Sequence, residues 1–231
     1  MRRRKQLTLM RHGLSEVNVA LRGAPWGKAD FRDPGIRDAP LTAVGRAQAT
    51  ARRSEVAAMR GIEVVVTSPL TRCLETTALA FADVRKPVVA TGLAAERVYL
   101  TSELGATRAT LAERYPAVDF SHLGEGPWWW TPSDDDEASE WRPEGEYLCP
   151  GEPSEAFRSR MAALLRWLDD RPETHLALVC HWGVIEALTG LSVRNCELRH
   201  VDLPEEPRSD IFNFDRQLEK RPIDDRAHGE D

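Results

Sequence analysis

Five short runs of apolar or alternating residues divide the chain, and longer amphipathic or polar segments separate them. The runs occupy residues 7–10, 62–66, 87–90, 176–180 and 198–203. Runs of this length, bounded by turn residues, are typical of buried strands. The segments between them are long enough for helices that cross from one parallel strand to the next. The pattern predicts an α/β fold, a three-layer sandwich with a mainly parallel central sheet covered by helices on both faces.

The clearest helical period lies just after Pro153. Apolar residues recur there three or four positions apart, which predicts a helix whose apolar face packs on the sheet. These residues are Phe157, Met161, Leu164, Leu165 and Leu168. Thr42 is predicted to cap a helix that ends near Met59, and Gly190 is predicted to end a short helix that starts at Trp182.

A chain of 231 residues fits one α/β domain, which we place at residues 1–204. Within it, residues 92–149 lack regular alternation apart from a short helix near 110–115, and they are predicted to form an insertion. The insertion carries three tryptophans at 128–130, predicted to pack, and an acidic run at 134–137, predicted to be solvated. Residues 205–231 are mostly charged and are predicted to form a flexible tail.

Charge and hydropathy narrow the choice of partner. The net charge of −6 does not favour nucleic acid or an anionic membrane surface. No apolar stretch approaches the roughly 18 residues that a membrane span needs, so we expect a cytoplasmic protein with no membrane partner. The four cysteines show no Cys-x-x-Cys spacing and are predicted to be small buried hydrophobes. These patterns do not define the oligomeric state.

Residues suited to phosphate chemistry follow three of the predicted strands. Arg11 and His12 follow the first, the segment 68–76 follows the second, and His181 follows the fourth. The carboxyl ends of parallel strands face one crevice, so these residues are expected to meet. Pro69 suits the first position of a helix and the serine before it suits the cap. Arg72 is therefore predicted in a first helical turn, where backbone N–H groups also favour an anion.

Three segments resemble, in order, the motifs of the histidine phosphatase superfamily, also called the phosphoglycerate mutase-like family. They read RHGLSEVN at 11–18, SPLTRCLET at 68–76 and VCHWG at 179–183. The resemblance extends from about residue 7 to about residue 203 and is weakest in the middle. It implies a catalytic core in which His12 becomes transiently phosphorylated, and an insertion that covers the active-site mouth. The implied core residues are Arg11, His12, Arg72 and His181.

The chemistry of these side chains agrees with the roles that the resemblance implies. A neutral imidazole attacks phosphorus without prior deprotonation if the correct tautomer is held, so His12 is the predicted nucleophile. Arg11 and Arg72 present planar forks of donors to phosphate oxygens. A protonated His181 is predicted to complete the phosphate cradle and to take part in catalysis. Two polar residues match the extension of the first motif, where the family uses such side chains near phosphate: Ser15 and Asn18.

A leaving alkoxide also needs a proton, which a carboxylic acid in a partly desolvated mouth supplies. Glu96 is the predicted general acid, because it resembles the family acid that follows the third strand. Ala95 departs from the family pattern, since relatives often carry a polar or basic residue there. Glu103 and Glu125 remain the alternatives.

These observations predict a metal-independent phosphatase that hydrolyses a small-molecule phosphate monoester through a phosphohistidine at His12. No cofactor and no metal site are predicted. The sequence does not identify the particular ester. The first alternative is a cofactor-dependent phosphoglycerate mutase, which uses the same core. Val17 stands where such mutases commonly carry tryptophan, which favours hydrolysis. A phosphate-binding pseudoenzyme is a second alternative, but such chains usually lose a core residue and this one keeps all four.

Overall fold

The computed structural model describes residues 4–132 and 144–208. In that part of the chain six strands form one sheet, in the order β4-β3-β2-β5-β1-β6. β6 runs antiparallel to β1, and the other neighbouring pairs are parallel. The mainly parallel sheet predicted from the apolar runs is confirmed. The strands are β1 (Gln6–Arg11), β2 (Val64–Thr67), β3 (Val88–Ala90), β4 (Val118–Asp119), β5 (His175–Cys180) and β6 (Leu198–Asp202).

Helices cover both faces of this sheet. Because side chains alternate along a strand, Leu7 and Leu9 of β1 enter one apolar cluster with the helix after Pro153, whereas Met10 enters a second cluster with Val56 on the opposite face. The three-layer arrangement is therefore confirmed. The helices in the described residues are α1 (Glu16–Ala20), α2 (Ala43–Ala51), α3 (Arg53–Ala58), α4 (Thr71–Ala80), α5 (Arg108–Arg114), α6 (Ser154–Asp170) and α7 (Trp182–Thr189).

Most helix signals in the sequence are confirmed. All five apolar residues predicted to form the inner face of α6 are buried. The side chain of Thr42 accepts a hydrogen bond from Gly45 N at 2.9 Å and caps α2. Gly190 ends α7 in the left-handed conformation, with φ of 72°. The helix expected to run from Thr42 to near Met59 is instead two helices, because α2 ends at Ala51 and α3 begins at Arg53.

The helix that carries Arg72 begins later than predicted. Leu70 is extended, with φ −66° and ψ 136°, and α4 starts at Thr71. Its first N–H is capped by Asp38 rather than by Ser68: the Asp38 carboxylate accepts Thr71 N at 2.8 Å and Thr71 Oγ1 at 2.7 Å. This cap comes from a residue 33 positions earlier, which a local capping pattern cannot show.

The predicted insertion is more regular than expected. It contains two short 3₁₀ turns, Gly92–Ala94 and Thr101–Glu103, as well as α5 and β4. β4 pairs with β3 at Val88↔Val118, so the middle of the insertion extends the sheet. A two-residue strand offers no alternation, so the pattern of apolar residues does not predict it. The acidic run 134–137 and residues 209–231 of the predicted tail lie outside the described residues.

The tryptophans and cysteines behave largely as predicted. Trp128 packs in the insertion, where its Nε1 donates to Ala106 O at 2.8 Å, and its ring lies so close to Gly105 that a Cβ there would come within 2.1 Å of it. All four cysteines are buried free thiols. Within the described ranges, no helix is long and apolar enough to cross a bilayer.

Candidate active site

The two histidines expected to meet lie at the exits of the neighbouring strands β1 and β5. The ring centroids of His12 and His181 are 5.1 Å apart, and the ring planes differ by 60°. The parallel register pairs Arg11 with Cys180, and His12 N donates to Cys180 O at 3.0 Å. Both histidines are fully buried, at 0 % exposure. The pairing of strand exits thus brings the two imidazoles together as predicted.

A single hydrogen bond determines the tautomer of His12. Its Nδ1 lies 2.7 Å from the carbonyl oxygen of Gly13. A carbonyl oxygen only accepts, so Nδ1 carries the proton and donates. In the neutral ring the lone pair is then on Nε2. Nε2 is therefore the nitrogen able to act as a nucleophile.

The main chain beside His12 is held by α4. Gly13 N donates to Thr76 Oγ1 at 3.0 Å, and that hydroxyl donates to Arg72 O at 2.7 Å. Gly13 itself has no positive φ. Glycine is required there for space, because a Cβ would lie 2.5 Å from the carbonyl oxygen of Gly45 in α2. Two helices therefore fix the backbone whose carbonyl orients the imidazole.

A loop before β6 wraps around the same segment and was not predicted. Arg11 Nη1 donates to Val193 O at 3.0 Å, and Cys196 N donates to Arg11 O at 3.0 Å. Between them, the fully buried Asn195 donates through Nδ2 to His12 O at 2.9 Å. The local signal for this role is limited to two polar residues, Arg194 and Asn195, between Val193 and Cys196. Such a pair is equally typical of a surface loop.

Arg72 is buried at 1 % exposure and is oriented by the insertion. Its Nη1 donates to Ser102 O at 2.9 Å, and its Nη2 lies 3.4 Å from Glu103 Oε1. Its Nε has no hydrogen-bond partner among the described residues. Burial raises the pKa of Glu103, although the Arg72 charge and the Ser102 hydroxyl act in the opposite direction. Glu103 thus lies beside the phosphate-binding arginine that the sequence predicted.

His181 is held by residues of the second motif. Its Nε2 hydrogen-bonds Ser68 Oγ at 2.8 Å and lies 3.4 Å from Cys73 Sγ. Burial raises the pKa of the Cys73 thiol far above its ordinary value, so the sulfur stays protonated. Neither side chain was assigned to the site from sequence. Both flank Arg72 in the motif, and that proximity is the signal that could have identified them.

Glu96 joins the site from the start of the insertion. It is buried at 3 % exposure. Its carboxylate accepts Gly183 N at 3.2 Å and Arg97 N at 3.0 Å, which places it against the first turn of α7, directly after His181. Glu125 lies elsewhere: its side chain is 93 % exposed and pairs with Arg108 at 3.1 Å. Of the three candidate acids, the structure therefore places Glu96 and Glu103 against residues of the core motifs and gives Glu125 an exposed ion pair.

Ser15 and Asn18 lie at the start of α1, just after the first motif. Both are buried, and Asn18 Oδ1 accepts Ser15 N at 3.3 Å, a contact that helps to cap the helix. Ser15 Oγ has no hydrogen-bond partner among the described residues. The contacts of Asn18 account for a structural role, and the phosphate contacts expected of both residues stay predictions.

Two arginines and two histidines, all buried, thus lie at the carboxyl ends of β1, β2 and β5. Guanidinium groups bind phosphate oxygens through charge-assisted, often bidentate hydrogen bonds, so this set of side chains is suited to a phosphate dianion. Across residues 4–132 and 144–208, no group of three or more histidine, cysteine or acidic side chains is arranged to hold a metal ion. The arrangement is suited to phosphoryl transfer to a nitrogen nucleophile.

Solved structures of other proteins resemble this fold. A putative α-ribazole-5'-P phosphatase from Escherichia coli has a TM-score of 0.52 and 22% identity, over 80% of this chain and 77% of that one. The Rv3214 protein of Mycobacterium tuberculosis has a TM-score of 0.53 and 17% identity, over 89% and 95%. A mycobacterial glucosyl-3-phosphoglycerate phosphatase in complex with VO3 has a TM-score of 0.50 and 21% identity, over 88% and 95%.

These likenesses show the fold, and the family follows from the sequence match. No match was found among curated proteins. Residues 7–203, most of the chain, match the histidine phosphatase superfamily (branch 1). The chain therefore belongs to the histidine phosphatase superfamily.

Proposed function

We propose that this protein is a metal-independent phosphatase that hydrolyses a phosphate monoester through a phosphohistidine at His12. The observation that carries the proposal is the tautomer of His12. Its Nδ1–H is committed to Gly13 O at 2.7 Å, which leaves the Nε2 lone pair for attack on phosphorus beside the His181 ring. Members of this superfamily are phosphatases or mutases, and the same geometry serves the first step of either reaction.

In the first step, Nε2 of His12 attacks phosphorus and the bond from phosphorus to the ester oxygen breaks. Arg11, Arg72 and His181 stabilise the charge on the transferring phosphoryl group. The carboxyl of Glu96 gives its proton to the departing oxygen. The unused Nε donor of the buried Arg72 supports this binding role, because a buried donor without a partner is costly unless a ligand supplies one.

In the second step, water attacks the phosphohistidine and the bond from phosphorus to nitrogen breaks. The Glu96 carboxylate takes a proton from that water and so returns to its acid form. Hydrolysis and mutase chemistry differ here, since a mutase must protect the phosphoenzyme from water while an intermediate reorients. Inorganic phosphate is the expected product.

The test is phosphate release from a panel of esters in the presence of a chelator: p-nitrophenyl phosphate, β-glycerophosphate, 3-phosphoglycerate and a nucleoside monophosphate. His12→Ala is the variant. His122→Ala, at an exposed histidine, is the matched control. We expect release that resists the chelator, is lost in His12→Ala and persists in His122→Ala.

Trapping labelled phosphate as an acid-labile adduct distinguishes the alternatives. An adduct on the wild type that is absent from His12→Ala supports the phosphohistidine. Interconversion of phosphoglycerates faster than phosphate release would establish a mutase and contradict the proposal. Binding of phosphate esters without adduct or release would indicate a binding protein instead.

A further inference from the structure

The segment that carries Glu96 has little secondary structure of its own. After the 3₁₀ turn Gly92–Ala94, the chain stays irregular until the next turn begins at Thr101. Three of its carbonyl groups nevertheless converge on one side chain. Arg160 Nη1 donates to the carbonyl oxygens of residues 93 and 95 at 3.0 and 2.7 Å, and Nη2 donates to Glu96 O at 3.3 Å.

Arg160 is in turn fixed by Glu152. The two side chains form a bidentate pair, with Nε to Oε1 at 2.9 Å and Nη2 to Oε2 at 2.7 Å. Glu152 also binds the far end of the segment, because Oε2 accepts Val98 N at 3.2 Å and its own N–H donates to Val98 O at 2.7 Å. One ion pair therefore holds both ends of the stretch 93–98.

Burial makes this arrangement rigid. The Glu152 side chain is 1 % exposed and that of Arg160 is 15 % exposed, so water competes weakly for either group. Arg160 projects from α6, whose apolar face is buried against the sheet. Carbonyl groups that face a guanidinium ion make charge-assisted hydrogen bonds, which are stronger than neutral ones. Arg160, and through α6 the sheet core, therefore fixes the position of the stretch 93–98, which has little regular structure of its own.

We propose that Arg160 and Glu152 form a clamp that positions the Glu96 carboxyl at the leaving-group oxygen. The inference rests on the proposed role of Glu96 as the general acid. Neither clamp residue touches the reacting atoms, so both act through Glu96 as positioning residues. Proton transfer depends steeply on distance, and a misplacement of about 1 Å can lower a rate about 10²-fold.

The kinetic test compares two esters that differ in their need for a proton. For Arg160→Met we expect kcat to fall about 10²-fold on β-glycerophosphate, with a much smaller loss on p-nitrophenyl phosphate, whose phenolate leaves without protonation. Arg166→Met is the matched control, since Arg166 is an exposed residue on the same helix. It should leave the ratio of the two rates unchanged. Equal losses on both esters in Arg160→Met would overturn the proposal.

Removing one member of a buried pair can unfold a protein, because the other charge is left without compensation. The double variant E152M/R160M removes both charges together. It should fold, as judged by circular dichroism, and show the same selective loss on the alkyl ester. A folded double variant with an unchanged ratio of rates would also overturn the proposal.

Hydrogen exchange tests the clamp without any use of activity. In wild type, the peptide that spans 93–98 should exchange slowly, because Val98 N and Arg97 N both donate to carboxylates. Exchange there should be faster in Arg160→Met and unchanged in Arg166→Met, whereas the β1 peptide stays protected in both. Unchanged exchange at 93–98 would contradict the clamp. If wild type releases no phosphate from any ester, the proposed function fails, and this exchange measurement still decides the clamp.

Discussion

Replacing Glu96 and Glu103 separately by glutamine should reveal which carboxyl is the general acid. Glutamine has nearly the shape of glutamate but has no proton to give. In E96Q the amide oxygen can accept only one of the two N–H groups that now bind the carboxylate, Arg97 N at 3.0 Å and Gly183 N at 3.2 Å. A buried N–H left without its acceptor lowers the free energy of unfolding by about 1–3 kcal/mol. This is less than the roughly 5–15 kcal/mol of a typical domain, so the variant should stay folded.

The kinetic effect of E96Q should be much larger than its effect on stability. General acid catalysis contributes roughly 10²–10⁴-fold, or about 2.7–5.4 kcal/mol of barrier at about 1.36 kcal/mol per tenfold. The whole of this loss should appear on an alkyl ester such as β-glycerophosphate. An ester with a phenolic leaving group should lose much less, because phenolate departs without a proton.

E103Q should give a different result. Glu103 Oε1 lies 3.4 Å from Arg72 Nη2, so the substitution acts through the arginine that stabilises the phosphoryl charge. Such stabilisation serves every leaving group, and both esters should slow by the same factor. The assay is the initial rate of phosphate release on the two esters. Equal losses in E96Q would refute the role of Glu96, and a loss confined to the alkyl ester in E103Q would assign the acid to Glu103.

Three further predictions concern stability, each measured by chemical denaturation. Gly45→Ala should lower the free energy of unfolding by about 3 kcal/mol or more, because its Cβ would lie 2.0 Å from Leu14 O. Gly124→Ala is the control: a Cβ there would meet nothing within 4 Å, so the free energy of unfolding should change by less than about 0.5 kcal/mol. Asn195→Ala removes the buried donor to His12 O and should lower the free energy of unfolding by about 1–3 kcal/mol; no change would refute its role as a support. Burial and the nearby His200 lower the pKa of His175 from 6.5, so the folded state takes up its proton less readily than the unfolded chain. The contribution of His175 to the free energy of unfolding should therefore be fully present above about pH 6.5 and be lost as the pH drops below it. If the free energy of unfolding of His175→Gln depends on pH as it does in the wild type, this reasoning is wrong.

Much of the fold is readable from the chain. The apolar runs predicted five of the six strands in the described residues, and the helical period predicted the inner face of α6. These signals succeed because the side chains that face the core recur with the period of the strand or helix that carries them. They failed for β4, which consists only of Val118 and Asp119, and two residues cannot display a period.

The candidate catalytic core was also readable, since its four residues follow strands whose carboxyl ends must share one edge of a parallel sheet. The sequence predicted Arg11, His12, Arg72 and His181 together, and the structure brings them to the ends of β1, β2 and β5. Glu125 was a reasonable alternative acid only while the path of the insertion was unknown. Its exposed pairing with Arg108 became visible once that path was defined.

The supports of the site were decided by tertiary structure alone. Asn195 binds the carbonyl oxygen of His12 across 183 positions, Asp38 caps α4 across 33 positions, and Arg160 reaches Ala95 across 65 positions. Hydrogen bonds act over about 3 Å and depend on direction, so such partners leave no periodic trace along the chain. The sequence by itself determined which strands and which chemical groups exist. Packing decided which distant side chains hold those groups in place, because only the folded chain brings such partners within bonding distance.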